Sequence, residues 1–173
     1  MIKRYLLSSI SILLLLIASG QEDPCDEIAL PFKCSSTHLT VYDGAGYEPV
    51  FIKGMNLGVA VPGTSPGELA ATTEEYLRWM QEIHDAGFNS IRLYALHYPR
   101  FYEALHQFNT ANANNPLHLL VGIWLEEELP GYNHDLYTLS DTFDLNAQIA
   151  VDAVHGNVTV PPRFGKAFGT WDT

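Results

Sequence analysis

Cysteine is scarce in this sequence: Cys25 and Cys34 are the only two among 173 residues. Nine positions apart, they are a weak metal signal, and the seven histidines fall into no H-E-x-x-H or similar ligand spacing. Basic residues are also few, 9 against 20 acidic. That balance argues against nucleic acid and anionic membrane surfaces as partners, because phosphate binding needs a basic face. There is no glycine-rich phosphate loop, no dinucleotide fingerprint, no internal repeat and no low-complexity tract. No apolar run reaches the roughly 20 residues that a membrane span needs. No metal and no cofactor is therefore expected, and no membrane in the mature form.

What is present begins with an export signal. Lys3 and Arg4 precede an apolar run from Tyr5 to Ile17 broken only by serines, and Ala18-Ser19-Gly20 offers small residues for cleavage. Residues 1–20 thus read as a signal peptide and the protein as secreted or periplasmic, an uncleaved anchor being the alternative. A lipoprotein anchor would want cysteine at that junction, and Cys25 is displaced from it by polar residues. The first 20 residues hold two of the nine basic side chains and no acidic one, so 7 basic face 20 acidic in the remainder, a net charge of −13. In an oxidising compartment Cys25 and Cys34 would close a small loop within the segment 21–36, two free thiols being the alternative. About 153 residues then remain, enough for one ordinary domain.

The organisation of residues 37–173 alternates. His38–Tyr42 is a strand candidate, Asp43-Gly44-Ala45-Gly46 has turn chemistry, and Pro49–Asn56 is a second strand. The Pro- and Gly-rich residues 59–71 read as a loop. Thr72 with Glu75 fits a capping box, and Tyr76, Trp79, Met80, Ile83 and Ala86 recur at helical spacing, with Gly87 just past the end. Ser90–Ala95 is a short strand. Pro99 opens a second helix with Phe101, Ala104, Leu105 and Phe108 on one stripe. Leu117–Leu125 is almost continuously apolar, which suits a strand buried on both faces. Asp141 or Thr142 would cap a third helix carrying Phe143, Leu145, Ile149, Ala150 and Val154, closed by Gly156. The final VPPRFGKAFGTWDT reads as a connecting loop, so the chain looks cut there. Strand and helix alternating three times argue for an α/β fold with a parallel sheet.

One residue stands out in that pattern. Arg92 lies between Ile91 and Leu93, and strand alternation puts Ser90, Arg92 and Tyr94 on one side with the two apolar residues on the other. Flanking helices need the apolar side. In an open sheet the arginine would simply be solvated. In a closed barrel its side would be the lumen, at the strand end where barrel enzymes build their sites, and it would need a carboxylate or carbonyl partner.

The ordered set Gly54-Met55-Asn56, Gly87-Phe88-Asn89 and Ile91-Arg92, within residues 37–125, resembles the opening of retaining (β/α)8-barrel glycoside hydrolases. It is similar to cellulase-like family 5 and to the barrel domain of family 2 enzymes. The resemblance implies a partial, truncated TIM barrel: an N-terminal β-hairpin followed by about three β/α units over residues 37–173. It also implies that Arg92 positions the catalytic nucleophile through a charge-assisted hydrogen bond. Retaining hydrolysis needs two carboxyl groups about 5 Å apart, and in these families they end the fourth and seventh strands. Neither motif has a match here, so no catalytic carboxylate is assigned within this chain. Glu126, Glu127 and Glu128 follow the third strand, but consecutive side chains do not converge on one atom, and Asp135, Asp141 and Asp144 fare no better.

Sugar contacts are expected from Asn56, Tyr94, His97, Tyr98 and Trp124, at or beyond strand ends. Against this, Trp124 is equally read as core, Asn56 as a strand cap and His97 as an incidental loop residue, while His118 and His155 read as structural. Asn157-Val158-Thr159 is a glycosylation sequon, meaningful in a eukaryotic secretory host. The expected function is the N-terminal portion of an exported hydrolase or transglycosylase acting on β-linked glycans, with an oligo- or polysaccharide as partner and inactive by itself. The rivals are a non-catalytic saccharide-binding or cell-envelope module, another barrel enzyme, and a small flavodoxin-like sheet.

Overall fold

The computed structural model describes residues 30–58, 61–63, 71–125, 135–163 and 165–172. The expected signal peptide, Cys25, Glu126, Glu127 and Glu128 lie outside them. The chain divides into two compact units, residues 1–50 and 51–173.

The described part of the first unit is an antiparallel sheet of β1 (Phe32–Cys34), β2 (Leu39–Tyr42) and β3 (Tyr47–Pro49), in that order. Its tight turn is where the sequence places it. The Asp43 carboxylate accepts the N–H groups of Ala45 and Gly46 at 2.8 and 2.9 Å, and Gly44 takes φ +98°, which favours glycine. Those two N–H donors hold the Asp43 pKa below its ordinary value. The second hairpin strand lies earlier than the expected Pro49–Asn56 and shares only Pro49 with it. It ends at Pro49, and Gly54–Asn56 belongs to another sheet. Cys34 is exposed on β1.

The second unit is built on a parallel sheet, β4 (Gly54–Leu57), β5 (Ser90–Leu93) and β6 (His118–Val121), ordered as in the chain. Two helices make its crossovers. α1 (Thr73–Asp85) starts at the expected capping box: Thr72 Oγ1 accepts the Glu75 N–H, and Glu75 Oε2 accepts the Thr72 N–H. It stops at Gly87, φ +81°. α2 (Pro99–Ala111) opens with proline, whose missing N–H costs nothing in a first turn. Tyr76, Met80 and Ile83 of α1 and Phe101, Ala104, Leu105 and Phe108 of α2 bury one stripe each against Ile91 and Leu93. Alternation in β5 holds from Ile91 on: Ile91 and Leu93 are fully buried and Arg92 is exposed, but Ser90, expected on the arginine's side, is fully buried as well.

Asn89 ties the sheet together at the start of its strands. Its Oδ1 accepts the Lys53 N–H at 2.8 Å and its Nδ2 donates to the Phe51 carbonyl at 2.8 Å. Its backbone N–H reaches the Lys53 carbonyl, and its carbonyl accepts the His118 N–H. The residue before β5 thus holds the chain entering β4 and the first residue of β6. Past the other end, a Cβ on Gly122 would stand 2.7 Å from the Leu93 carbonyl oxygen, so only glycine allows that approach.

Three expectations fail beyond this point. Leu117–Leu125 is not buried on both faces: β6 spans His118–Val121, and Leu120 and Trp124 are 41% and 52% exposed. The third helix, α3 (Ser140–Val154), is entered through a 3-10 turn at Leu136–Leu139. Asp135 caps that turn by accepting the Tyr137 N–H, and Asp141 sits in the first turn of α3 without capping it. The closing segment is not a bare loop. β7 (Val158–Val160) pairs antiparallel with β8 (Gly169–Trp171), and buried Val160, Ala167 and Trp171 join the helical core. Trp171 meets the Tyr102 ring of α2 edge-on at 6.4 Å. The strand after α3 therefore turns back on itself instead of extending the parallel sheet. The protein is mixed α/β, and the described residues form no closed barrel.

Candidate functional site

The sheet β4–β6 has two unlike faces, one packed by helices and one open. In the parallel register Asn56, Arg92 and Leu120 stand side by side across the three strands, about 4.8 Å apart from strand to strand. All three are exposed. Alternation puts the partly buried His118 on the same face, two residues before Leu120. Burial lowers the His118 pKa, so it stays neutral at pH 7.

Tyr94 joins the group directly. The Arg92 guanidinium lies 4.8 Å from the Tyr94 ring centroid, a cation–π contact. The ion pairs among the described residues are Arg78 with Glu82 and His84 with Asp85. No carboxylate among the described residues pairs with Arg92, and the nucleophile it would position was assigned to no residue of this chain. Solvation and the Tyr94 ring take the place of a buried counter-charge. Trp124, three residues past β6, is too exposed to be core. Asn56, Arg92 and Tyr94 therefore stand together, a neutral amide, a permanent cation and a ring, and the exposed Trp124 follows β6 three residues on.

The other two expected contacts lie elsewhere. His97 is 1% exposed, between the rings of Tyr76 and Phe101 at centroid distances of 6.3 and 5.1 Å. Its Nδ1 is 3.2 Å from the Ala95 carbonyl, and its Nε2 lacks a hydrogen-bond partner. Burial lowers its pKa to about 4, against a smaller opposing effect of the Ala95 and Gly58 backbone. That makes it a neutral core histidine. Tyr98 is half-buried and packs edge-on against Phe168 at 5.3 Å, with the Arg100 guanidinium 4.9 Å from its ring. Arg100 itself donates to the Ala71 carbonyl. Asp141 and Asp144 are exposed on α3, and Asp135 is occupied as a cap.

Sequence reasoning missed the role of Asn89, although it quoted Gly87-Phe88-Asn89. The available signal was an amide side chain directly before a strand, where edge backbone groups of neighbouring strands need partners. A separate cavity of about 420 Å³ lies between β4 and α1, lined by Met55, Leu57, Val61, Trp79 and Ile83 among others. It is apolar and offers no group for chemistry beyond Glu82 at its rim. No three His, Cys, Asp or Glu side chains among the described residues are grouped to hold a metal ion, and no described helix is long and apolar enough to cross a membrane. Comparison with protein-family models, with curated proteins and with solved structures finds no match in any of the three.

Proposed function

We propose that this chain is the saccharide-binding, N-terminal portion of an exported glycoside hydrolase or transglycosylase acting on β-linked glycans, with β4–β6 as the first strands of a partial (β/α)8 barrel. One observation carries the reading: an exposed Arg92 in contact with the half-buried Tyr94 ring, with Asn56 beside it in register, on the open face of a helix-backed parallel sheet. Rings that cover an apolar sugar face, next to a few polar groups that fix orientation, are what carbohydrate surfaces require. The two carboxyl groups needed for hydrolysis are not on this face among the described residues. In this reading they belong to another part of the protein, and the chain alone binds without cleaving.

The direct test is native electrophoresis in gels containing soluble β-linked glucans, mannans or xylans. Retardation of the wild-type chain, relieved by Trp124→Ala, is expected. Mobility unchanged by every glycan would end the saccharide reading. A non-catalytic envelope module is the second reading, favoured by an Arg92 that pairs with no carboxylate of the described residues. The intact mass of the protein from its native host separates the two, since the hydrolase reading requires a product well above the mass of residues 21–173.

A further inference from the structure

We propose that Arg92 makes the open face selective for acidic glycans by holding the carboxylate of a uronic-acid residue. This rests on the reading of β4–β6 as a sugar-binding face and names the class of sugar. The guanidinium is exposed and has no carboxylate of the described residues within ion-pair distance. Its register neighbours are Asn56 and Leu120, neither of them acidic. The contact with Tyr94 engages its charge, and among the described residues none accepts a hydrogen bond from its N–H groups.

The setting makes that open charge informative. The chain carries 20 acidic side chains against 9 basic ones, so a surface arginine had ample opportunity to be neutralised. His118 on the same face is uncharged at neutral pH. Arg92 is thus the one permanent cation of this face among the described residues. A planar guanidinium fork matches a planar carboxylate with two parallel hydrogen bonds. Tyr94 and the exposed Trp124 supply ring surface for the pyranose that bears the carboxylate, and Asn56 supplies a neutral donor and acceptor for a hydroxyl. A neutral glycan would leave the guanidinium without a matched acceptor.

The test uses the full chain and two probes that differ in one group: a cello-oligosaccharide and the oligoglucuronate of equal length, in which each primary alcohol is a carboxylate. Titration calorimetry at about 0.15 M salt screens the repulsion from the acidic bulk of the chain beyond about 8 Å. The wild type is expected to bind the uronate at least about tenfold more tightly, the scale of one charge-assisted hydrogen bond. In Arg92→Gln the ratio of the two Kd values falls to about one, while far-UV circular dichroism stays unchanged because the side chain is exposed. Arg92→Lys restores only part of the ratio, lacking the fork. Equal binding of the two probes by the wild type overturns the proposal and leaves the saccharide reading standing. A preference that survives in Arg92→Gln overturns it as well. A sulfated cello-oligosaccharide that matches the uronate in affinity overturns the carboxylate assignment. Failure of all three probes to bind overturns this proposal, and the saccharide reading is then decided by the gel panel of glucans, mannans and xylans.

Discussion

Replacing Asn89 with alanine should be costly, because one side chain makes three hydrogen bonds, two of them to the backbone of residues 51–53. It accepts the Lys53 N–H, donates to the Phe51 carbonyl, and accepts from Ser90 Oγ at 3.0 Å. Each such bond contributes about 1 kcal/mol net, and a buried partner left unpaired costs about 1–3 kcal/mol. Asn89 is half-buried and Ser90 fully buried, while Lys53 and Phe51 are exposed and can recover water. The expected loss is therefore about 2–3 kcal/mol. Urea unfolding followed by tryptophan fluorescence reads it directly. With a slope of about 1–3 kcal/mol per molar, the midpoint should fall by roughly 1–2 M with the slope unchanged. Asn89→Asp is the sharper probe: it keeps the acceptor for Lys53 but turns an anionic oxygen toward the Phe51 carbonyl, so it should be no better than alanine. A midpoint shift under about 0.3 M for both variants would show that the clamp carries no net energy. It would also refute the account of how β4 is held.

Gly122→Ala places a methyl 2.7 Å from the Leu93 carbonyl; backbone must move, and a loss of about 1–3 kcal/mol in thermal unfolding is expected. His97 is buried neutral with a folded pKa of about 4, below its unfolded value of about 6.5. The unfolded chain then binds the extra proton between those values. The stability His97 contributes is complete above pH 6.5 and is lost as pH falls toward 4, by about 3 kcal/mol. His97→Leu should flatten that part of the urea-midpoint profile, and an unchanged profile would contradict the burial. Trp124→Ala should abolish glycan retardation while moving the unfolding midpoint by less than about 0.5 kcal/mol, since the ring is half-exposed; a large loss of stability would return Trp124 to the core.

Much of the second unit is legible locally. The Thr72–Glu75 box, Gly87 and Pro99 mark helix ends through contacts within four residues, and the Tyr76, Met80, Ile83 stripe follows from helical period alone. Alternation correctly separated Arg92 from Ile91 and Leu93. The candidate site was legible only in part. Asn56, Arg92 and Tyr94 come together because parallel pairing sets Asn56 beside Arg92 and the strand end brings Tyr94 to it, and register is a relation between strands. His97 resembled a loop residue until the rings of Tyr76 and Phe101 closed around it, and no local signal reports that enclosure.

The sequence by itself determined the α/β alternation, the boundaries of the first two helices, the Asp43–Gly46 turn and which side of β5 carries its arginine, because each depends on neighbours within a turn or two. Only the tertiary structure decided which faces are covered. A run as apolar as Leu117–Leu125 keeps Leu120 and Trp124 exposed, whereas the Pro- and Gly-rich segment after Thr159 forms a hairpin whose Trp171 is buried against Tyr102. Burial depends on what packs from elsewhere in the chain, and the free energy of covering Trp171 outweighs the local preference of its segment for a loop.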